Sequence, residues 1–400
     1  QTREYIVEKD ALHKLPALLE KSFPGLSPLA VFDHNTYKAA WSKLSASLPG
    51  VPALILDGEE IHPDEEQLGR VTKELKEGKY GILLAVGSGV ICDIVRYVAF
   101  KQDVPFIAVP TAASVDGFCS TVSAMTWKGY KKTMPGVAPV FVLADIDIIK
   151  EAPLHLALSG AGDIFGKYTA LADWEVAHAL TGEYLCPEIE RMTRDAVEAV
   201  TSCCTGLVAK EEKSFEQLTY GLILSGLAMQ LMGNSRPASG CEHHVSHLIE
   251  MGPAAFPFRS DALHGEKVGV GTILASRAYH ELAEIKDIRP HVHPYAFPDQ
   301  TELEPFYGTA LYPSVVEENT PDCMKDVTPE MLVAAWPKIR EIVSSIPTAE
   351  ELDNLYQKIG AKCTLEDIQV PSDSLEDLLH FSPSARNRLT LMRVRWMISR

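Results

Sequence analysis

Residues 81–93, GILLAVGSGVICD, decide the fold. The run from Ile82 to Val86 is continuously apolar, Gly87 and Gly89 open a turn, and from Val90 to Phe100 the apolar spacing becomes helical. A strand that is apolar on both faces must be covered on both, which is the situation of a parallel sheet between helices. The same unit recurs on either side: LAVFD ends at Asp33, PALILD at Asp57, PFIAVP at Pro110 and PVFVLAD at Asp145, with an amphipathic segment from Glu65 to Lys76 between two of them. This alternation predicts a domain over 1–150 built on a parallel sheet covered by helices on both faces.

Ligands of such sheets bind beyond the carboxyl ends of the strands, and the polar signals fall there. Gly87 to Asp93 places two glycines where backbone N–H groups can approach a pyrophosphate at a helix start; an ordinary glycine turn is the alternative. TAASVDGFCS, Thr111 to Ser120, is a hydroxyl-rich loop able to bond phosphate and ribose, or simply a capped turn. Asp33 stands where an acidic residue bonds a ribose hydroxyl in many dinucleotide sites, with capping of the next helix an equal alternative. Together the three strand ends favour a nucleotide.

After Asp145 the strand pattern stops. Helical spacing runs through Ala161 to Leu180, Glu188 to Val200, Phe215 to Leu231 and Gly265 to Ile285, which predicts an all-helical second domain over 151–400. Thr348 with Glu351, and Thr328 before Pro329, carry helix-start signals. Pro290 to Pro313 reads as proline-rich loops, an insertion over the surface or the mouth of the site.

The chain has 400 residues, a net charge of −17, 46% apolar and 23% charged residues. These are the proportions of a globular protein, and the missing basic footprint argues against nucleic acid or anionic membrane as a partner. An anionic substrate would therefore need a local cationic pocket, for which Lys167, Arg259 and Lys267 are candidates, or a helix N-terminus, such as the one near Gly265. No apolar run has membrane-spanning length, and QTREYIVEKD lacks the layout of a secretory signal. The eight cysteines form no CxxC pair and read as reduced thiols of a cytoplasmic protein.

Ser239 to Gly271 concentrates the remaining chemistry. It holds His243, His244 and His247, then His264 at the head of another helical pattern, in a chain with only 13 histidines. On a helix His243 and His247 share a face and His244 turns away. Two imidazoles and a carboxylate make a three-ligand metal site with an open position; a hydrogen-bonded polar cluster is the alternative. GAGDIFGKYTALADW, Gly160 to Trp174, supplies the acid: Asp163 lies in a helical first turn with Lys167 one turn later, while Asp173 reads as structural.

GSGVICD, TAASVDG, GDIFGKYTALADW, SGCEHHVSH and LHGEKVGVG, in this order, resemble the superfamily of iron-type alcohol dehydrogenases, glycerol dehydrogenases and dehydroquinate synthases. The chain looks most like its NAD(P)-dependent glycerol-1-phosphate dehydrogenases, particularly the bacterial nickel-dependent branch, over roughly Ala30 to Gly271. The resemblance implies a Rossmann-like domain and a helical domain with the active site in the cleft between them. It implies a divalent metal (nickel or zinc, with iron possible) on Asp163, His243 and His264. It implies NAD or NADP against Gly89, Val90, Ile91, Cys92, Asp93, Thr111, Ala112, Ala113, Ser114 and Ser120, with Asp33 matching less closely. Substrate contacts fall on Asp116, Asp163 and His247, with Asp116, Asp163 and His247 also the catalytic set.

The activity this implies is reduction of dihydroxyacetone phosphate to sn-glycerol 1-phosphate by a cytoplasmic homodimer or other homo-oligomer serving phospholipid metabolism. Rival readings are a glycerol or polyol dehydrogenase acting on unphosphorylated substrate, a dehydroquinate synthase-like lyase, which usually presents Glu where Asp163 stands, and a binding protein without turnover.

Overall fold

The structure is a computed structural model, and it describes residues 1–57, 61–127 and 130–399. The chain divides into two compact units, Gln1–Ala161 with Glu198–Asn234, and Gly162–Val197 with Ser235–Arg400.

The first unit is built on six strands, β1 (Glu4–Glu8), β2 (Pro28–Asp33), β3 (Ala53–Leu56), β4 (Ile82–Gly87), β5 (Phe106–Pro110) and β8 (Phe141–Asp145). They lie in the order β1-β8-β5-β4-β2-β3, and every neighbouring pair is parallel. β4 and β5 are buried along their whole length, which is why they read as unbroken apolar runs. From β2 the chain steps to β3 on one side, then crosses to β4 on the other, so the order reverses between β2 and β4. In open α/β sheets such a reversal marks, at the carboxyl ends of the two strands, the place where ligands are received. Asp33 and Gly87 end these two strands.

Two elements of this unit carry weak sequence signals. β1 is an edge strand with a polar exterior, and β6 (Val122–Trp127) pairs with β7 (Tyr130–Pro135) as a separate antiparallel hairpin.

A sequence boundary near 150 assigns everything beyond it to one helical domain, whereas helix Glu212–Met232 packs on β1 and on the turn Gly117–Cys119 within the first unit. Its small residues make the contact possible: a Cβ on Gly226 would stand 2.7 Å from the Asp116 carbonyl oxygen.

The second unit is helical. Its elements include Lys167–Thr181, Cys241–Met251, His264–Ala283, Pro329–Ser344 and Ala349–Ile359, around a core that includes Val245, Leu248, Val270, Leu274, Trp336 and Met392. The proline-rich segment differs from a surface loop: Gln300–Glu318 is helical with a break at Gly308 (φ 79°), and it buries Leu303, Phe306, Tyr307 and Val315. That apolar face outweighs the two prolines within it. Among the described residues no helix is long and apolar enough to cross a membrane.

Candidate functional site

In the first unit, helix Gly89–Gln102 starts directly after β4. Its N-cap, Ser88, makes no side-chain capping bond, and the Cys92 N–H is taken by the Ser88 carbonyl at 3.0 Å. First-turn amides of a helix lack intrahelical partners, so Gly89, Val90 and Ile91 present donors and the positive end of the helix dipole to an anion. The Ile91 and Cys92 side chains are buried, which leaves the Ile91 backbone N–H for such a role while that of Cys92 is already bonded. The Asp93 carboxylate pairs with the buried Arg96 at 2.6 Å.

Thr111, Ala112, Ala113 and Ser114 follow β5 and are all buried. The Thr111 N–H bonds the Gly87 carbonyl at 3.3 Å, tying this loop to the end of β4, and Ser159 Oγ donates to the Ser114 carbonyl at 3.4 Å. Asp116 is buried with its Oδ2 accepting from Ser225 at 2.8 Å. Ser120 spends its hydroxyl locally, 3.0 Å from both the carbonyl and the N–H of Val122.

Asp33 is a helix cap. Its Oδ1 accepts from Thr36 N at 2.8 Å, while its own N–H donates to Thr36 Oγ1 at 3.0 Å, closing a capping box on helix His34–Ser47. This is the capping alternative of the sequence reading, and the second oxygen of the carboxylate is outside that box.

The second unit gathers Asp163, His243 and His264. One ligand atom from each lies within 4.8 Å of the others. Asp163 comes from helix Leu154–Phe165, His243 from the first turn of helix Cys241–Met251, and His264 is the first residue of helix His264–Ala283.

Glycines let these backbones meet. A Cβ on Gly162 would fall 2.4 Å from the Gly265 carbonyl oxygen, and one on Gly271 would fall 2.7 Å from the Glu242 carbonyl oxygen. Any side chain at either position would force the helices apart and separate the acid from the imidazoles.

His243 Nε2 stands 3.5 Å from Asp163 Oδ1. Two donors bound about 2.1 Å from one cation at a tetrahedral angle lie about 3.4 Å apart, so this pair already has the spacing of two ligands. The O, N, N donor set suits zinc, nickel or ferrous iron alike.

Two carboxylates that sequence reasoning passed over organise the cluster. Glu242, fully buried, places Oε1 2.8 Å from His243 Nδ1. Glu250 reaches His264 Nδ1 at 3.1 Å, Lys267 Nζ at 3.2 Å and His247 Nδ1 at 3.4 Å. Each of these histidines is therefore held at Nδ1 with Nε2 on the opposite side of the ring, the outer-shell arrangement of metal-binding imidazoles. Both acids were visible in EHHVSHLIE as Glu242 next to His243 and Glu250 three residues after His247.

The electrostatics follow these contacts. Burial would raise the Asp163 carboxyl, but Lys167, 2.8 Å away, and His243 outweigh it and hold it well below the usual carboxylate range. Desolvation opposes charge on His243, yet its bonds to Asp163 and Glu242 prevail and lift it to about 9. His247 is pushed down to about 4 by desolvation against the partial opposition of Glu250, although a quarter of its side chain reaches the surface. Its ring centroid is 6.1 Å from that of His243 and 5.8 Å from that of His264. His247 thus borders the trio without belonging to it.

His244 is fully buried, and its ring nitrogens have no hydrogen-bond partner among the described residues. Desolvation and the nearby Arg388 charge keep it neutral. Of the three proposed cations, Lys167 and Lys267 are paired with Asp163 and Glu250, and Arg259 is exposed. Asp173 accepts from Tyr279 Oη and Leu391 N at 2.7 Å and from Cys241 N at 2.8 Å, the buried structural role expected of it.

The model of the family "iron-containing alcohol dehydrogenase" matches residues 6–153. A glycerol-1-phosphate dehydrogenase [NAD(P)+] of Bacillus licheniformis is 30% identical over 95% of this chain and 85% of its own length. The protein of the same name in Halalkalibacterium halodurans is 35% identical over 96% of this chain and 90% of its own. Among solved structures, an iron-containing alcohol dehydrogenase of Corynebacterium glutamicum superposes with a TM-score of 0.65 at 14% identity, covering 99% of this chain and 95% of that one. At that identity the likeness speaks for the fold alone.

Proposed function

This chain belongs to the glycerol-1-phosphate dehydrogenase [NAD(P)+] family and is an NAD(P)-dependent dehydrogenase; from that premise we propose that it is metal-dependent and reduces dihydroxyacetone phosphate to sn-glycerol 1-phosphate. The observation that carries the metal reading is the convergence of Asp163, His243 and His264 within 4.8 Å. Those three residues would hold a divalent cation, nickel or zinc in first place and iron in second, which supplies Lewis acidity to the oxygen of the reacting carbon.

The chain's own residues do the rest. Glu250 is ionised, since the His264, His247 and Lys267 contacts hold it well below its usual range against the effect of burial. An ionised carboxylate accepts, so the neutral His247 keeps its proton on Nδ1 and leaves Nε2 as a base. In the oxidative direction Nε2 takes the proton of the alcohol, and in the reductive direction it returns it. Glu242 and Glu250 fix the rings of His243 and His264. Asp116, anchored by Ser225, orients a substrate hydroxyl. Gly89 to Asp93, together with Thr111 to Ser114, Ser120 and Asp33, form the nucleotide site, the phosphates resting on first-turn amides. The eight free thiols support a reducing, cytoplasmic setting, in which the protein works as a homo-oligomer.

The test is oxidation of NADH and of NADPH by dihydroxyacetone phosphate and by dihydroxyacetone, after stripping metals and adding them back singly. Preference for the phosphorylated ketone with activity restored by one divalent metal is expected. Faster turnover of dihydroxyacetone would instead make this a polyol dehydrogenase, and oxidation of neither cofactor by either ketone would end the dehydrogenase reading.

A further inference from the structure

The mechanism above leaves the substrate phosphate without a partner. In a chain of net charge −17 a dianion needs a specific cation. Lys167 and Lys267 are buried against Asp163 and Glu250, and no contact ties the exposed Arg259 to the histidines among the described residues.

The C-terminal segment supplies a better group. The turn Ser382–Ala385 is buried and packs on helix Cys241–Met251, the helix that carries His243 and His247. Arg386 follows immediately, and its backbone is clamped. Its carbonyl accepts from Arg388 N at 2.9 Å and from the buried Arg393 Nη1 at 3.1 Å. On the next residue, the Asn387 side chain bonds Cys323 N at 2.8 Å and the Pro321 carbonyl at 2.7 Å. Arg388 is consumed by the loop before the same helix, bonding the Ser239 carbonyl and Ser235 Oγ.

The Arg386 guanidinium is treated differently from its neighbours. It donates to the adjacent Ala385 carbonyl at 3.3 Å and forms no ion pair among the described residues. Five donors in a planar fork are therefore met by one marginal acceptor. Arg386 leaves the turn that packs on the helix carrying His243 and His247. A half-buried arginine with an open fork, on a clamped backbone next to the turn that packs on the His243–His247 helix, has the chemistry of a phosphate anchor.

We propose that Arg386 binds the phosphate of the substrate and thereby sets the preference for a phosphorylated over an unphosphorylated triose. The inference rests on the dehydrogenase reading given above. Arg393, Asn387 and Arg388 are positioning residues, holding the loop so that the fork pays little ordering entropy when the anion arrives.

Arg386→Ala in the full-length, metal-loaded protein tests this. The KM for dihydroxyacetone phosphate should rise roughly 100-fold, as expected for loss of charge-assisted bonds to a dianion, while kcat/KM for dihydroxyacetone stays within about twofold. Calorimetric affinity for glycerol 1-phosphate should fall by the same factor, with metal content unchanged. Arg386→Gln carries the same expectation should the alanine variant fail to fold. An unchanged KM for the phosphorylated ketone, or a parallel loss on both ketones, would overturn the proposal and leave the dehydrogenase reading intact. A wild-type protein that does not turn over dihydroxyacetone phosphate would overturn both.

Discussion

The Nδ1 atom of His243 lies 2.8 Å from Oε1 of Glu242, the residue before it in the chain. Successive residues on a helix point about 100° apart, so this contact requires the Glu242 side chain to be held back toward the helix start. Gly240 N bonds the same Oε1 at 2.6 Å and Thr169 Oγ1 bonds Oε2 at 2.6 Å. Burial would favour the neutral acid, but these bonds and His243 keep the carboxyl below its usual range. The result is an ionised carboxylate that fixes the ring of His243 with Nε2 toward Asp163.

Glu242→Gln keeps the size of that group and removes its charge. Metal affinity should fall about 10- to 100-fold, measured by competition with a chelator, and turnover should recover at saturating metal. Unchanged affinity would show that His243 needs no such support.

Asp163→Ala or His264→Ala removes one of the proposed ligands itself. Both variants should lose bound metal and at least about a thousandfold in kcat, while NADH fluorescence titration gives the parent affinity. Full activity in a metal-free Asp163→Ala protein would refute the assignment.

His247→Ala and His244→Leu separate the neighbouring rings. The first should retain metal and lose roughly 100-fold to 10,000-fold in rate as proton transfer is lost. The second replaces a fully buried imidazole whose nitrogens lack partners among the described residues, so stability should change by no more than about 1 kcal/mol and metal content not at all. Metal loss in the His244 variant would mean that the wrong histidine has been assigned.

Asp173 gives a pH dependence of stability. Burial and the nearby Glu242 charge outweigh three hydrogen bonds and raise its carboxyl from 3.8 to about 7. The native state therefore holds a proton that the unfolded chain releases between about pH 4 and 7, and this group makes unfolding free energy fall as pH rises through that window. Asp173→Asn should flatten that part of the profile. It also leaves one of the Tyr279, Leu391 and Cys241 donors poorly matched, at a cost of about 1–3 kcal/mol near pH 5. Urea titrations at pH 5 and pH 8 measure both effects; an undiminished difference between the two pH values would rule out Asp173 as its source.

Much of the fold was legible because burial imposes a pattern on neighbouring residues. Five of the six parallel strands appear as apolar runs, and the helix starts at Thr328 and Thr348 are written in their capping residues. β1 was not, because an edge strand buries too little to be apolar throughout. Helix Glu212–Met232 reads correctly as a helix, but periodicity says nothing about which partner its buried face meets.

The same division holds at the candidate site. His243, His247 and the glycine turn after β4 stand out by spacing within one element, and local chain geometry alone dictates their relation. Glu242, Glu250 and Arg386 acquire their meaning only in three dimensions. Which carboxylate turns back onto a ring, and which arginine is left without a counter-ion, depends on how helices far apart in the chain approach. That approach is set by close contacts such as Gly162 against Gly265 and Gly271 against Glu242, between residues whose separation along the chain carries no periodic signal.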